Sequence, residues 1–98
     1  MSFDYQRLHF KNMPEDRRMG LALYVQVRDV DQRKYAYLQR TYLSRLTTFL
    51  ASNYEYEAVQ TESGKQSFLK MLKVRFARRL KGNQLVELKT AFFEEVDL

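Results

Sequence analysis

Residues 19–52 read MGLALYVQVRDVDQRKYAYLQRTYLSRLTTFLAS, and the period of their apolar positions changes once along the way. In MGLALYVQV (19–27), Leu21, Leu23, Val25 and Val27 alternate with Ala22, Tyr24 and Gln26. That two-residue period is the pattern of a strand with one buried face and one mixed, half-covered face. From Arg28 the period lengthens. Tyr35, Leu38, Tyr42, Leu46 and Phe49 recur at three- and four-residue steps, with Leu43 and Leu50 widening the stripe. This predicts one helix over 28–52, with Arg33, Lys34, Arg40 and Arg45 off the stripe. Asp29 or Asp31 is placed to cap its start by accepting backbone N–H bonds.

Working outward, NYEYEAVQ (53–60) reads as an irregular link between two helices, with a short strand as the alternative. TESGKQSFLKMLKVRFARRL (61–80) is helical again. Thr61 or Ser63 is its cap, and Glu62 suits the positive end of the helix. Phe68, Leu69, Leu72, Phe76 and Leu80 fall within one arc, and Lys70, Lys73, Arg78 and Lys81 cover much of the opposite arc. Met71 and Val74 sit among the bases, and Arg79 intrudes into the apolar arc. Gly82-Asn83 stops this helix, because glycine takes the left-handed cap position at little cost. LVELKTAFFEEVDL (85–98) is the closing strand. Val86, Leu88, Phe92 and Val96 are expected on one side in register with Thr90 and Glu94, and Leu85, Ala91 and Phe93 on the other. Residues 1–18 form an extended lead-in that can add an edge strand, with a turn at NMPEDRR around Pro14. The expected architecture is α+β in a single domain over 1–98: a small sheet of three or more strands with two helices packed on one face. Leu21, Leu23, Val25, Leu38, Tyr42, Leu46, Leu72, Phe76 and Phe92 are the expected core.

Composition narrows the function. The chain has 98 residues and no cysteine, which removes disulfides, thiolate metal sites and cysteine nucleophiles. Its one histidine, His9, cannot furnish a zinc site or a triad without partners of the right kind. Ser63-Gly64-Lys65 lacks the upstream glycine and strand of a phosphate loop. The carboxylate pairs Glu55/Glu57 and Glu94/Glu95 read as solvated acids rather than as acid–base dyads. The expectation is a protein that is not an enzyme, with no cofactor, no metal and no small-molecule substrate. No run of 18 apolar residues is present, so no part of the sequence is expected to span a membrane, and MSFDYQRLHF is not a signal peptide. The absence of cysteine fits cytoplasm and periplasm equally.

The net charge of +5 is carried by one segment. Lys65, Lys70, Lys73, Arg75, Arg78, Arg79 and Lys81 lie together without an acid among them, whereas the remaining residues hold ten bases and twelve acids. A compact basic segment is a docking surface for phosphates or acidic partners, or otherwise a solvated helix face. Sequence-specific DNA reading is disfavoured, because no helix-turn-helix spacing precedes the basic helix and its start carries Glu62, Lys65, Gln66 and Ser67. Non-specific phosphate binding by counterion release stays open.

The order of segments resembles the periplasmic domain of the FliL family of flagellar basal-body-associated proteins. MGLALYVQV matches the first strand of that pattern, YLSRLTTFLAS the end of the first helix, TESGKQSFLKML the second helix start, and VELKTAFFEEVDL the closing strand. The most specific part is Thr61, Gly64, Lys65 and Leu69 in order after Ala51-Ser52. Three features depart from the family: it carries an N-terminal membrane helix, Phe92-Phe93-Glu94-Glu95 replaces its usual apolar ending with two acids, and the helix from Thr61 is unusually basic here. The resemblance implies a stomatin-like, bacterial structural domain that forms a ring around the stator units of the flagellar motor. It would be periplasmic and anchored to the inner membrane in the full-length protein; without the resemblance, the expectation is cytoplasmic. The implied partners are further copies of the chain and stator membrane proteins. Candidate interface residues are Lys70, Lys73, Val74, Arg75, Arg78, Lys81, Glu94 and Glu95, with the basic helix meeting Glu55, Glu57, Glu94 or Glu95 of a neighbouring copy. The alternative is a small basic subunit binding nucleic acid or acidic protein non-specifically in a larger complex.

Overall fold

The computed structural model describes residues 5–80 and 85–97. Strands β1 (Gln6–Leu8), β2 (Arg17–Val27) and β3 (Leu85–Asp97) form an antiparallel sheet in the order β1-β2-β3. Helices α1 (Val30–Leu38), α2 (Arg40–Ser52) and α3 (Glu62–Arg79), with a 3-10 turn at Tyr56–Gln60, cover one face of it. This is the expected α+β fold, and the lead-in does add an edge strand. The helix-facing side of β2 is Met19, Leu21, Leu23 and Val25, all buried. A 13-residue strand spans roughly 43 Å at about 3.3 Å per residue, which matches the 41 Å long axis of the molecule. β2, β3 and α3 therefore run from one end of the molecule toward the other.

The core closes on four aromatic rings. Phe10, just beyond β1, lies 5.0 Å from Phe68 of α3, 6.3 Å from Phe93 of β3 and 6.4 Å from Tyr54 of the link, centroid to centroid. Phe68 lies 5.1 Å from Tyr54 and 5.9 Å from Phe93. The tilted and edge-on arrangements place positive ring edges against negative faces, as aromatic quadrupoles favour. Backbone bonds hold the lead-in to the link beside them: Lys11 N donates to the Tyr54 carbonyl at 3.0 Å, and Tyr56 N donates to the Lys11 carbonyl at 2.9 Å. The turn there places Asn12 at a positive φ of 64°, a conformation asparagine tolerates.

Three expectations are corrected. The single helix over 28–52 is two helices meeting at Gln39, and of the expected stripe Leu43 and Leu50 are buried and Tyr35 and Leu46 partly so, but its remaining large residues are not. Ala36, Leu43, Thr47, Leu50 and Ala51 face the sheet, while Leu38, Tyr42 and Phe49 are 65%, 46% and 63% exposed. Small residues share this face with Leu43 and Leu50 and leave room for the helix to approach the sheet; Thr47 is buried at no polar cost, since its hydroxyl donates to the Leu43 carbonyl at 2.8 Å. Leu46 is only partly buried against the core. Second, β3 has no single alternating face. Ala22 pairs with Phe92 but Leu23 with Thr90, leaving Ala91 over; Gln26 pairs with Glu87 but Val27 with Leu85, leaving Val86 over. Each extra residue reverses the inside–outside alternation. Leu85, Leu88, Thr90, Phe93 and Glu95 therefore share the helix-facing side, and Phe92, 39% exposed, lies on the outer face. Third, Asp29 occupies the N-cap position of α1 without a side-chain cap bond. The expected stop at Gly82-Asn83 lies outside the described residues. On the outer face the Tyr5 and Phe92 rings, 6.1 Å apart, cross over Gly20, where a side chain would collide with both.

The Thr61-x-x-Gly64-Lys65 spacing has a geometric reason. Thr61 Oγ1 accepts from Gly64 N at 3.0 Å and caps α3. Gly64 itself touches the preceding 3-10 turn so closely that a Cβ would fall on the Ala58 carbonyl oxygen. One turn of chain and a capped helix thus share the space of a missing methyl. Gly64→Ala is expected to lower stability by about 1–3 kcal/mol in urea unfolding, because backbone cannot give way as a flexible side chain would. The exposed neighbour substitution Ser63→Ala is expected to stay within about 0.5 kcal/mol. Equal stability of the two variants would contradict the packing account.

Candidate interaction site

The basic helix is divided by its neighbours into two unlike sides. Lys70 and Lys73 lie toward β3, where they line a hollow with Gln66, Leu69, Leu88 and Lys89. Arg75, Arg78 and Arg79 lie toward α2, where with Tyr42 and Leu46 they line a cleft of about 270 Å³. Val74 stands exposed on the crest between the two sides, 52% accessible. Lys81 lies outside the described residues. The expected basic face is therefore two surfaces with different surroundings.

The α2–α3 cleft exists because the break at Gln39 brings the start of α2 against the end of α3. Arg79 Nε donates to Gln39 Oε1 at 2.8 Å, and its guanidinium stacks 4.0 Å over the Tyr42 ring. The Tyr35 hydroxyl donates to the Arg79 carbonyl at 3.4 Å. Arg79 is thereby held flat, while Arg75 and Arg78 have no acidic partner among the described residues. Two free guanidiniums beside an exposed tyrosine form a surface for carboxylates or phosphates. Tyr42 and Gln39 were not expected here. The one signal in the sequence was Arg79 itself, a charge inside an otherwise apolar arc.

The acids gather at the opposite end. Glu95 accepts from Arg17 Nη2 at 3.0 Å and from the Tyr56 hydroxyl, and Arg17 also bonds Asp97. The Tyr56 hydrogen bond, followed by that of Arg17, outweighs partial burial and holds the Glu95 carboxyl below the usual carboxylate range. The same bond pushes the Tyr56 hydroxyl above its ordinary value. Glu94 pairs with Lys65 at 3.5 Å, and Glu55 pairs with Lys11 at 3.6 Å and accepts from Asn12 at 2.8 Å. Glu57 is exposed. Glu94 and Glu95, consecutive in a strand, point to opposite faces and do not meet as a carboxylate pair. His9 is half-buried, with Nε2 enclosed and without a hydrogen-bond partner among the described residues. Among those residues no helix is long and apolar enough to cross a membrane.

No protein-family model matches the chain, and no curated protein is significantly similar to it.

The Glu95 tie has a pH signature. Unfolded, Glu95 takes its proton near the ordinary value of about 4.3; folded, it does so only at lower pH. Its stabilisation is therefore present above that value and fades as pH falls through the folded one. Glu95→Gln should be less stable than wild type near neutrality. Its urea midpoint should also fall less between about pH 6 and about pH 3 than that of wild type. Parallel midpoint curves would show that the tie contributes nothing.

Proposed function

We propose that the chain is a structural interaction domain that assembles head to tail with further copies of itself into a ring. This follows the role implied by its resemblance to the flagellar stator-associated family. On that reading it encircles membrane-embedded stator proteins from the periplasmic side of the inner membrane. The observation that carries the proposal is the separation of charge along the long axis. At the end where β2 starts, β3 finishes and α3 begins lie Glu15, Asp16, Glu55, Glu57, Glu62, Glu94, Glu95 and Asp97, against Lys11, Arg17, Arg18 and Lys65. At the other end lie Arg28, Arg33, Lys34, Arg40, Arg75, Arg78 and Arg79, against Asp29, Asp31 and Glu87. Opposite ends of two copies attract and like ends repel. Met head to tail, such a contact leaves one end of each kind free; it continues to the next copy and forms a ring when the rotation closes. Glu95 is committed to Arg17 and Tyr56, so Glu57 and the acids of the 14–16 turn are the better placed partners for Arg75 and Arg78.

A second reading is favoured by the helical layer alone. The three helices hold ten bases and two acids, so a nucleic acid or an acidic protein could lie across them and release counterions.

Sedimentation velocity separates these readings. Wild type is expected to sediment as a concentration-dependent oligomer at low salt and to dissociate at about 1 M salt, where the Debye length is about 3 Å. Arg75→Glu/Arg78→Glu is expected to remain monomeric, and Lys70→Glu/Lys73→Glu to assemble as wild type does. A wild type that is monomeric throughout would refute the ring. If that monomer binds a DNA oligomer with affinity falling steeply in salt, the second reading takes its place.

A further inference from the structure

We infer that the free edge of β3 and the groove beside it form a docking site for an extended acidic segment of a protein partner, which adds to the sheet as a fourth strand. β3 is an outermost strand of 13 residues, hydrogen-bonded only to β2 among the described residues. Alternate residues of such an edge present N–H and C=O groups to solvent, a template for strand addition.

The helices stop short of this edge. On the side they cover, Leu23 and Val25 of β2 are 4% and 0% exposed. Their β3 partners are not covered in the same way: Thr90, opposite Leu23, is exposed, and Leu88, opposite Val25, is half-buried. A trough results between α3 and β3. It consists of two adjoining hollows of about 300 and 440 Å³ that share Gln66, Leu69 and Thr90, and it runs beside residues 87–94 of the strand. Eight residues of added strand would extend about 26 Å.

The two faces of the edge fix the chemistry of the occupant. Toward the helix, Lys70 and Lys73 form the rim of a hollow that Glu87 also lines, and neither is ion-paired among the described residues, whereas Lys65 already pairs with Glu94. Away from the helix, the outer face of β3 carries Glu87, Lys89, Phe92 and Glu94, with the Phe92 ring, 39% exposed, as its apolar member. A strand carrying acids on its helix-facing side, against Lys70 and Lys73 and away from the Glu62/Glu94 end, and an apolar side chain beside Phe92 on the other matches both. The bulges at Val86 and Ala91 break the edge into short regular runs, which discourages long pairing between identical edges and leaves room for a short segment. This surface is separate from the Arg75–Arg78 side, so the inference stands or falls independently of the ring.

The test uses the whole chain and a synthetic nine-residue peptide alternating valine and glutamate, with a valine–lysine counterpart. A third peptide keeps the valine–glutamate sequence but is N-methylated at alternate residues, to remove its hydrogen-bonding edge. Fluorescence anisotropy is expected to show binding of the valine–glutamate peptide, weakened about tenfold or more by Lys70→Glu/Lys73→Glu and comparably weak for the valine–lysine peptide. N-methylation is expected to abolish binding, and amide exchange in residues 87–94 is expected to slow when the unmodified peptide binds. No binding of the valine–glutamate peptide would overturn the inference. Undiminished binding of the N-methylated peptide would also overturn it, since that outcome is charge adsorption without strand addition.

Discussion

The fold depends on one contact, the meeting of Phe10, Tyr54, Phe68 and Phe93. These rings come from the lead-in, the inter-helix link, α3 and β3, segments with no local reason to be near one another. Three of them are nearly or fully removed from water, with Phe10 and Phe68 at 0% and Phe93 at 6% exposure. Truncating a fully buried phenylalanine typically costs about 3–5 kcal/mol, a large share of the stability of a chain this size. The same cluster positions everything relevant to function. It sets where α3 starts, hence which side of α3 turns to α2 and which to β3, and it holds the acidic 3-10 turn beside the end of β3.

The elements whose apolar period was unbroken were legible in the sequence. The odd-numbered face of β2 and the Phe68–Leu72–Phe76 face of α3 are buried as their spacing requires, and the Thr61 cap forms its bond. Legibility failed where a small residue or an extra residue decided the outcome. In α1 and α2 the large side chains Leu38, Tyr42 and Phe49 outweigh Ala36, Thr47 and Ala51 on any hydropathy count, yet the small ones face the sheet beside Leu43 and Leu50 and leave room for close approach. In β3 the surplus residues Val86 and Ala91 are chemically ordinary, and only pairing with β2 shows that they bulge. Phe10 shares one side of the loosely alternating lead-in with Leu8, and two residues at that spacing were too short a run to mark it as core.

The candidate surfaces show the same division. The basic run was plain in the sequence, and so was its lack of acids. That it splits into a lysine side facing β3 and an arginine side facing α2 depends on the break at Gln39, which no period announces. The acids tell the converse story: Glu95, placed among interface residues by sequence, is drawn into an internal tie with Tyr56 and Arg17. The charge that remains available is separated along the long axis, and that separation underlies the proposed assembly.

The absence of native cysteine allows a direct measurement of the head-to-tail contact. Glu57→Cys and Arg78→Cys chains would be prepared separately, mixed at low salt and oxidised. The account predicts a covalent heterodimer in the mixture, little product from either variant alone, and a ladder of higher oligomers from the double variant. Crosslinking of Arg78→Cys or Glu57→Cys chains with themselves, as efficient as in the mixture, would contradict the account, because like ends would then be the ones that meet.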